Sequence, residues 1–323
     1  YSWQPFMLLN SSKKVSYSAN KSLLLTQPND VFIPESFEQL QKASLQDELF
    51  GYISYEVKDI IEDLPKTTNK FIDVELMKFL SFENKSEMVG AADLSDFYGG
   101  NIPSIVSLKS NMTKSQYLEK VDKCREYIIE GDISQVNLTR KFFGEFASEP
   151  DAFQLYCKLN SVSPAPYSAY MDFGDFQVIS SSPELFLRVE GDNALTCPIK
   201  GSGGSKTGDD VKLSESKKDQ AENLMITDLM RNDFSKVCLP GSVKVDNLFK
   251  TVSYSTISHM HSEIRGMLEQ GKCSIDLISS CFPPGSMTGT PKIRAMEIIS
   301  ELEEGYDRGI YSGALGYINK SFA

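Results

Sequence analysis

A chain of 323 residues, 41% hydrophobic and 24% charged, can bury a core able to support a deep cleft without covalent staples. Its net charge of -11 would repel a phosphate backbone, which argues against nucleic-acid binding. No stretch reaches the roughly 18 to 20 uninterrupted apolar residues of a membrane span, so no membrane association is expected.

The opening Tyr1-Ser2-Trp3-Gln4 has neither a basic n-region nor an apolar h-region, and without an initiator Met it reads as a trimmed terminus. The six cysteines (Cys124, Cys157, Cys197, Cys238, Cys273, Cys281) never form a Cys-x-x-Cys pair. Neither a zinc cage nor a disulfide framework is expected, and reduced thiols fit a cytoplasmic protein.

Residues up to about 100 read as strands and short helices broken by polar turns. Leu8-Leu9 and Phe50 to Tyr55 are strand-like, and Gly99 to Pro103 is a connection. A helix follows Thr113, which forms a capping box with Gln116; Leu118, Val121 and Ile128 make its apolar stripe and Gly131 stops it. A second helix spans Asp151 to Leu159. Short strands follow at Ser168–Phe173, Gln177–Ser181 and Leu185–Val189. Gly191-Asp192-Asn193 is a turn, and Ala194 to Ile199 returns as a strand. A long helix covers Glu215 to Arg231, strands cover Ser242–Val245 and Ser255–Met260, and a last helix starts at Pro291. The pattern predicts an α/β protein of the α+β type with large, mostly antiparallel sheets.

Four groups of residues can carry chemistry. Glu184 and Lys200 lie equally far from Asp192, so a hairpin centred there sets them opposite each other. They form either a surface ion pair or a lysine tuned for nucleophilic or acid/base work. Asp219 and Glu222 share a helix face that continues through Ile226 and Leu229. Carboxylates on such a stripe suit Mg²⁺, although Ser216 with Asp219 also reads as a capping box. Gly285 to Lys292 combines glycines, hydroxyls and a helix start, which makes either an anion cradle or a plain turn, and it is not a Walker A loop. His259 shares an alternating face with Ile257 and His261, in a structural or a catalytic role.

In order along the chain, Gly131 to Leu138, Ser181 to Glu184, Pro198 to Gly201, Asp219 to Asp233, His259 to Ser262 and Phe282 to Lys292 together resemble the chorismate-utilising enzymes. The match is dense from about Thr113 to Tyr317. It implies antiparallel sheets packed face to face, helices outside and the site in the cleft. It also divides the chain into a β-rich region, 1–110, and a chorismate-binding region, 111–323, the two intertwined. The segment Leu8-Leu9-Asn10-Ser11 resembles the start of a tryptophan effector pocket. Family members continue beyond the equivalent of Tyr317 with an Arg, a Gly-rich loop and a metal-binding Glu, so the sequence is expected to be truncated at its C-terminus.

Within the family, water-adding members carry a Lys base near Val136, where this chain has Gln135; ammonia is then the implied nucleophile. Anthranilate synthases read Pro-Ile-Ala-Gly-Thr where this chain has Pro198-Ile199-Lys200-Gly201-Ser202. A Lys there, and Ala165 to Tyr170, resemble the aminodeoxychorismate synthase branch. The implied roles are Lys200 as covalent nucleophile, Glu184 as general acid, and Glu222 with Asp219 at Mg²⁺. Gln135, His259, Gly201, Ser202, Ser286, Thr288 and Gly289 would bind substrate. Ammonia would come from a separate glutamine amidotransferase, since no glutaminase elbow is present in the sequence. The alternatives are an anthranilate synthase component I and an inactive fragment or amidotransferase-docking subunit.

Overall fold

The computed structural model describes residues 21–70, 73–89, 102–204, 213–253 and 257–319. Leu8 to Ser11 and Gly99 to Asn101 lie outside them. Two larger sheets organise the chain. The first has four strands in the order Lys21–Phe32, Met77–Val89, Leu49–Ile53, Ala314–Ile318. A strand from the far end of the chain therefore completes the sheet begun at its start. Leu49, Ile53, Met77, Phe79 and Ile318 pack with Ile275 and Phe282 in one core.

The second sheet is built around Ile257–Met267, with Lys244–Ser253 along one edge. Its other edge is shared between Ile199–Gly204 and Asn193–Cys197, and Leu185–Glu190 lies beyond the latter. Pro198 separates these two strands; it has no N–H for a ladder. The helix Lys217–Ser235 covers the sheet, capped by Ser216, whose hydroxyl accepts from Asp219 N. Ile226, Met230 and Phe234 on its inner face join Ala194, Ile264 and Leu277. Burying each of these helix residues stabilises by about 1.5–3 kcal/mol. Phe186 contacts both cores, so the sheets meet there, and its ring lies 6.2 Å from that of Phe282. Every strand ladder described is antiparallel.

Most predicted elements form within a few residues of their expected ends. The helix after Thr113 runs Lys114–Glu130 with the capping box intact and Gly131 left-handed at φ 86°. Its rotation differs from expectation. Leu118 and Ile128 are 49% and 42% exposed, whereas Cys124 is buried against Ala295, Ile298 and Leu302. Polar partners fix that face: Lys120 pairs with Glu304 at 2.6 Å and Tyr127 donates to Glu301 at 2.8 Å. The long helix reaches Ser235 rather than Arg231, because Asp233 and Phe234 are still buried. The strands expected at 242–245 and 255–260 extend to Lys244–Ser253 and Ile257–Met267. Helix Phe37–Gln46 falls in the region read as strands and short helices, and helix Ser274–Cys281 was not expected.

Pro291, the expected first helical residue, is instead the N-cap of the final helix, Lys292–Leu302, which starts one position later. Lys292 turns inward: it donates to Asp233 Oδ2 at 2.5 Å and to Cys281 O at 2.9 Å. All six cysteines are free thiols. Among the described residues no helix is long and apolar enough to cross a membrane.

Breaking a buried ion pair strands a charge in the core. Asp233→Ala should therefore lower unfolding free energy by about 3–5 kcal/mol, read by urea denaturation, with Lys292 left uncompensated.

Candidate active site

The hairpin that carries Glu184 and Lys200 turns at Gly191-Asp192, with Asn193 opposite Glu190 and Leu195 opposite Arg188. A bulge then shifts the register so that Cys197 faces Leu185. Glu184 and Lys200 are thus not cross-strand partners, contrary to the symmetric hairpin. After Pro198 the chain leaves this ladder and pairs with Ile257–Met267 instead. The two side chains nevertheless converge, for each bears electrostatically on the other.

Burial dominates their protonation. It pushes the Glu184 carboxyl up to about 7, opposed by a hydrogen bond from Ser286 Oγ, by the Lys200 charge and by a backbone bond from Ile199. Burial also holds the Lys200 amine below its ordinary value, against the pull of Glu184 and Glu222. Neither residue as a whole is fully buried. A carboxyl inclined to keep its proton thus sits beside an amine inclined to lose one.

Asn137 links this pair to its surroundings, and the residue-by-residue reading overlooked it. Its Oδ1 accepts from Lys200 Nζ at 3.3 Å, and its Nδ2 donates to Ser286 O at 2.5 Å. The available signal was strand period: Gln135 and Asn137, two apart, share a face. Gln135–Val136 pairs with Gly289–Thr290, setting Gln135 opposite Thr290. Gln135 Oε1 and Thr290 Oγ1 are both buried without a hydrogen-bond partner. Buried polar atoms of this kind call for a ligand or a water. Gly289 permits the close pairing, since a Cβ there would stand 2.2 Å from Gln135 O.

The loop before the final helix differs from an open cradle of N–H groups. Met287 N and Thr288 N bond back to Pro284 O and Gly285 O. Thr288 is fully buried, its hydroxyl 3.2 Å from Pro284 O and 3.3 Å from Gly285 O, so it shapes the loop from inside. Ser286 is what the loop offers the site, through Glu184.

On the strand that carries Lys200, Ser202 pairs directly with His259, and Ser202 Oγ lies 2.7 Å from His259 Nδ1. Burial lowers the imidazole pKa and favours its neutral form. Gly201 adopts φ +87°, and a Cβ there would stand 2.9 Å from Asp219 Cβ. Only glycine lets the strand carrying Lys200 lie so near the helix carboxylate. Glu222, one turn on, acts electrostatically on Lys200 and also pairs with Lys218 at 3.4 Å. The helix is held in rotation by the buried Asn223: Nδ2 donates to Met260 O at 3.4 Å, and Oδ1 accepts from Ser262 Oγ at 2.5 Å.

Among the described residues no group of three His, Cys, Asp or Glu side chains gathers as a metal cage. Mg²⁺, however, commonly takes one or two carboxylates and keeps several waters. Asp219 and Glu222, hard oxygen donors on the face that continues into buried Ile226, fit such a partial set.

A desolvated amine near a carboxyl that holds its proton is a pairing suited to nucleophilic or acid/base chemistry. The chain belongs to the chorismate binding enzymes, whose family profile matches residues 99–322. It is 41% identical over 219 residues to aminodeoxychorismate synthase component 1 of Escherichia coli, covering 65% of this chain and 47% of that protein. It is 40% identical over 223 residues to anthranilate synthase component 1 of Aquifex aeolicus, covering 67% of this chain and 44% of that protein. The chain thus spans about half the length of these relatives. The crystal structure of anthranilate synthase component I from Streptococcus pneumoniae superposes with a TM-score of 0.82 at 22% identity, over 94% of this chain and 81% of that one. That likeness establishes the fold.

Because Glu184 binds its proton more tightly when folded, the folded state loses stability as pH rises from about 4.5 to about 7. Glu184→Gln removes that loss while keeping an acceptor for Ser286. The variant should gain up to about 3 kcal/mol over the parent at pH 8 and nothing from this source at pH 4, read by denaturation at each pH.

Proposed function

We propose that the protein aminates chorismate at C4 to give 4-amino-4-deoxychorismate, the precursor of p-aminobenzoate and folate. The observation that carries this reading is the desolvated Lys200 amine beside Glu184. The relatives divide between two names at nearly equal identity, so the choice rests on that lysine. Anthranilate formation has no use for a nucleophilic amine at this point, and the resemblance places an alanine there in anthranilate synthases.

The steps follow from the residues. Neutral Lys200 Nζ adds at C2, the ring electrons shift, and the C4 hydroxyl leaves as water with the proton from Glu184. Ammonia then adds at C4, the electrons shift back, and the C2–Nζ bond breaks. The Glu184 carboxylate recovers a proton from the incoming ammonium. Gln135 Oε1, an acceptor without a partner, suits an N–H of the ammonia. His259, Gly201, Ser202, Ser286 and Gly289 would contact substrate. Mg²⁺ held by Glu222 and Asp219 would supply positive charge for a substrate carboxylate. A separate glutamine amidotransferase would deliver the ammonia, in the cytoplasm.

Incubation with chorismate, Mg²⁺ and ammonium tests the reading. A product that yields p-aminobenzoate only after a lyase is added supports it, and direct anthranilate fluorescence overturns it. Lys200→Ala should lower the rate by about a thousandfold or more and form no protein adduct in mass spectrometry. The parent rate should fall as pH rises through about 7, where Glu184 loses its proton.

A further inference from the structure

Arg308 is 2% exposed and lies outside every motif that suggested the function. A guanidinium has five N–H donors in a fixed fork, and here each has a partner. Nε donates to Glu303 Oε2 at 2.9 Å, and Nη2 to Glu303 Oε1 at 2.6 Å. The second Nη2 hydrogen reaches Asn137 O at 2.7 Å. Nη1 donates to Met287 O at 3.0 Å and to Ser312 Oγ at 3.3 Å. The plane is also covered by the Tyr55 ring, 4.7 Å from Cζ to centroid.

The two carbonyls are the informative partners. Asn137 is the residue whose amide holds both Lys200 Nζ and Ser286 O. Met287 follows Ser286, whose hydroxyl bonds Glu184. One rigid cation therefore ties together the two backbones that orient the nucleophile and the acid. Glu303 strengthens the tie, because its Oε1 also accepts from Thr139 N at 2.9 Å and Thr139 Oγ1 at 3.0 Å. The cation's own backbone is fixed too: Glu56 accepts from Arg308 N at 2.7 Å and from Gly309 N at 3.0 Å. A lysine at 308 would keep the charge but offers three donors from a single point, too few for the two bonds to Glu303 together with those to Asn137 O and Met287 O.

We propose that Arg308 is a positioning residue for the Lys200–Glu184 pair, acting through the backbones of Asn137 and Met287. This rests on reading Lys200 and Glu184 as the reacting groups, yet it can be tested without turnover. The full chain and its Arg308→Lys variant are labelled with an amine-directed acylating reagent across a pH series, and Lys200 is followed by peptide mass spectrometry. The Lys200 profile should move by about half a pH unit or more, or its limiting rate change about threefold, while exposed lysines stay unchanged. In the Asn137→Ala background the same substitution should have little further effect on Lys200. A variant with a lowered melting temperature but a Lys200 profile superimposable on the parent would make Arg308 purely structural and overturn the proposal. So would an undiminished effect without the Asn137 amide. If Arg308→Lys does not fold, Glu303→Gln keeps shape and weakens the same clamp. It should shift Lys200 in the same direction by less, and no shift overturns the idea. Assayed with chorismate and ammonium, Arg308→Lys should lower kcat about tenfold or more with KM changed by less than about threefold. Loss of the proposed amination in the parent itself would refute the function and leave the labelling result standing.

Discussion

Taking a carboxyl and an amine out of water together is the constraint on which the site depends. Each alone resists ionisation when buried, and each partly restores the charge of the other. The result is a carboxyl that holds its proton more tightly than usual and an amine that holds its proton less tightly than usual. Such poise is useful only if the distance between them is held. The protein spends many of its internal polar contacts on that purpose.

Those contacts come from distant parts of the chain. Asn137 reaches the amine from just past a two-residue strand, Ser286 reaches the carboxyl from a tight turn, and Asn223 sets the rotation of the helix that carries Asp219 and Glu222. The sheets supply rigidity, since the strand bearing Lys200 and the strand bearing His259 are paired. Gln135 Oε1, which has no partner, lies two residues before Asn137. Satisfied groups build the frame, and the unpartnered Gln135 Oε1 and Thr290 Oγ1 are left where a ligand or water can meet them.

Much of this was legible in the residues, and the gaps have physical causes. Periodicity and capping located the helices after Thr113, Asp151 and Ser216, because those signals are local. The hairpin register was missed because a two-residue turn and a bulge shift the pairing, and symmetry about Asp192 ignored both. The wrong face was assigned to the Lys114–Glu130 helix because ion-pair partners near residue 304, not apolar spacing, decide its rotation. Thr288 read as a ligand group, but its hydroxyl is consumed by its own turn. Arg308 gave no signal at all, because its carbonyl partner at Asn137 is 171 positions away. Local chemistry is written in motifs; the scaffolding that aligns them is written in long-range contacts.

The Asn223 contacts carry one more consequence. A helix lying on a sheet can slide or roll, and apolar packing alone tolerates small rolls because greasy surfaces lack directional preference. An amide locked to a strand carbonyl and a serine hydroxyl works like a key in a shaft, converting a smooth bearing into an indexed one. The adjacent Glu222 then inherits its aim from its neighbour. The outward-facing side of that helix takes no part in those two bonds.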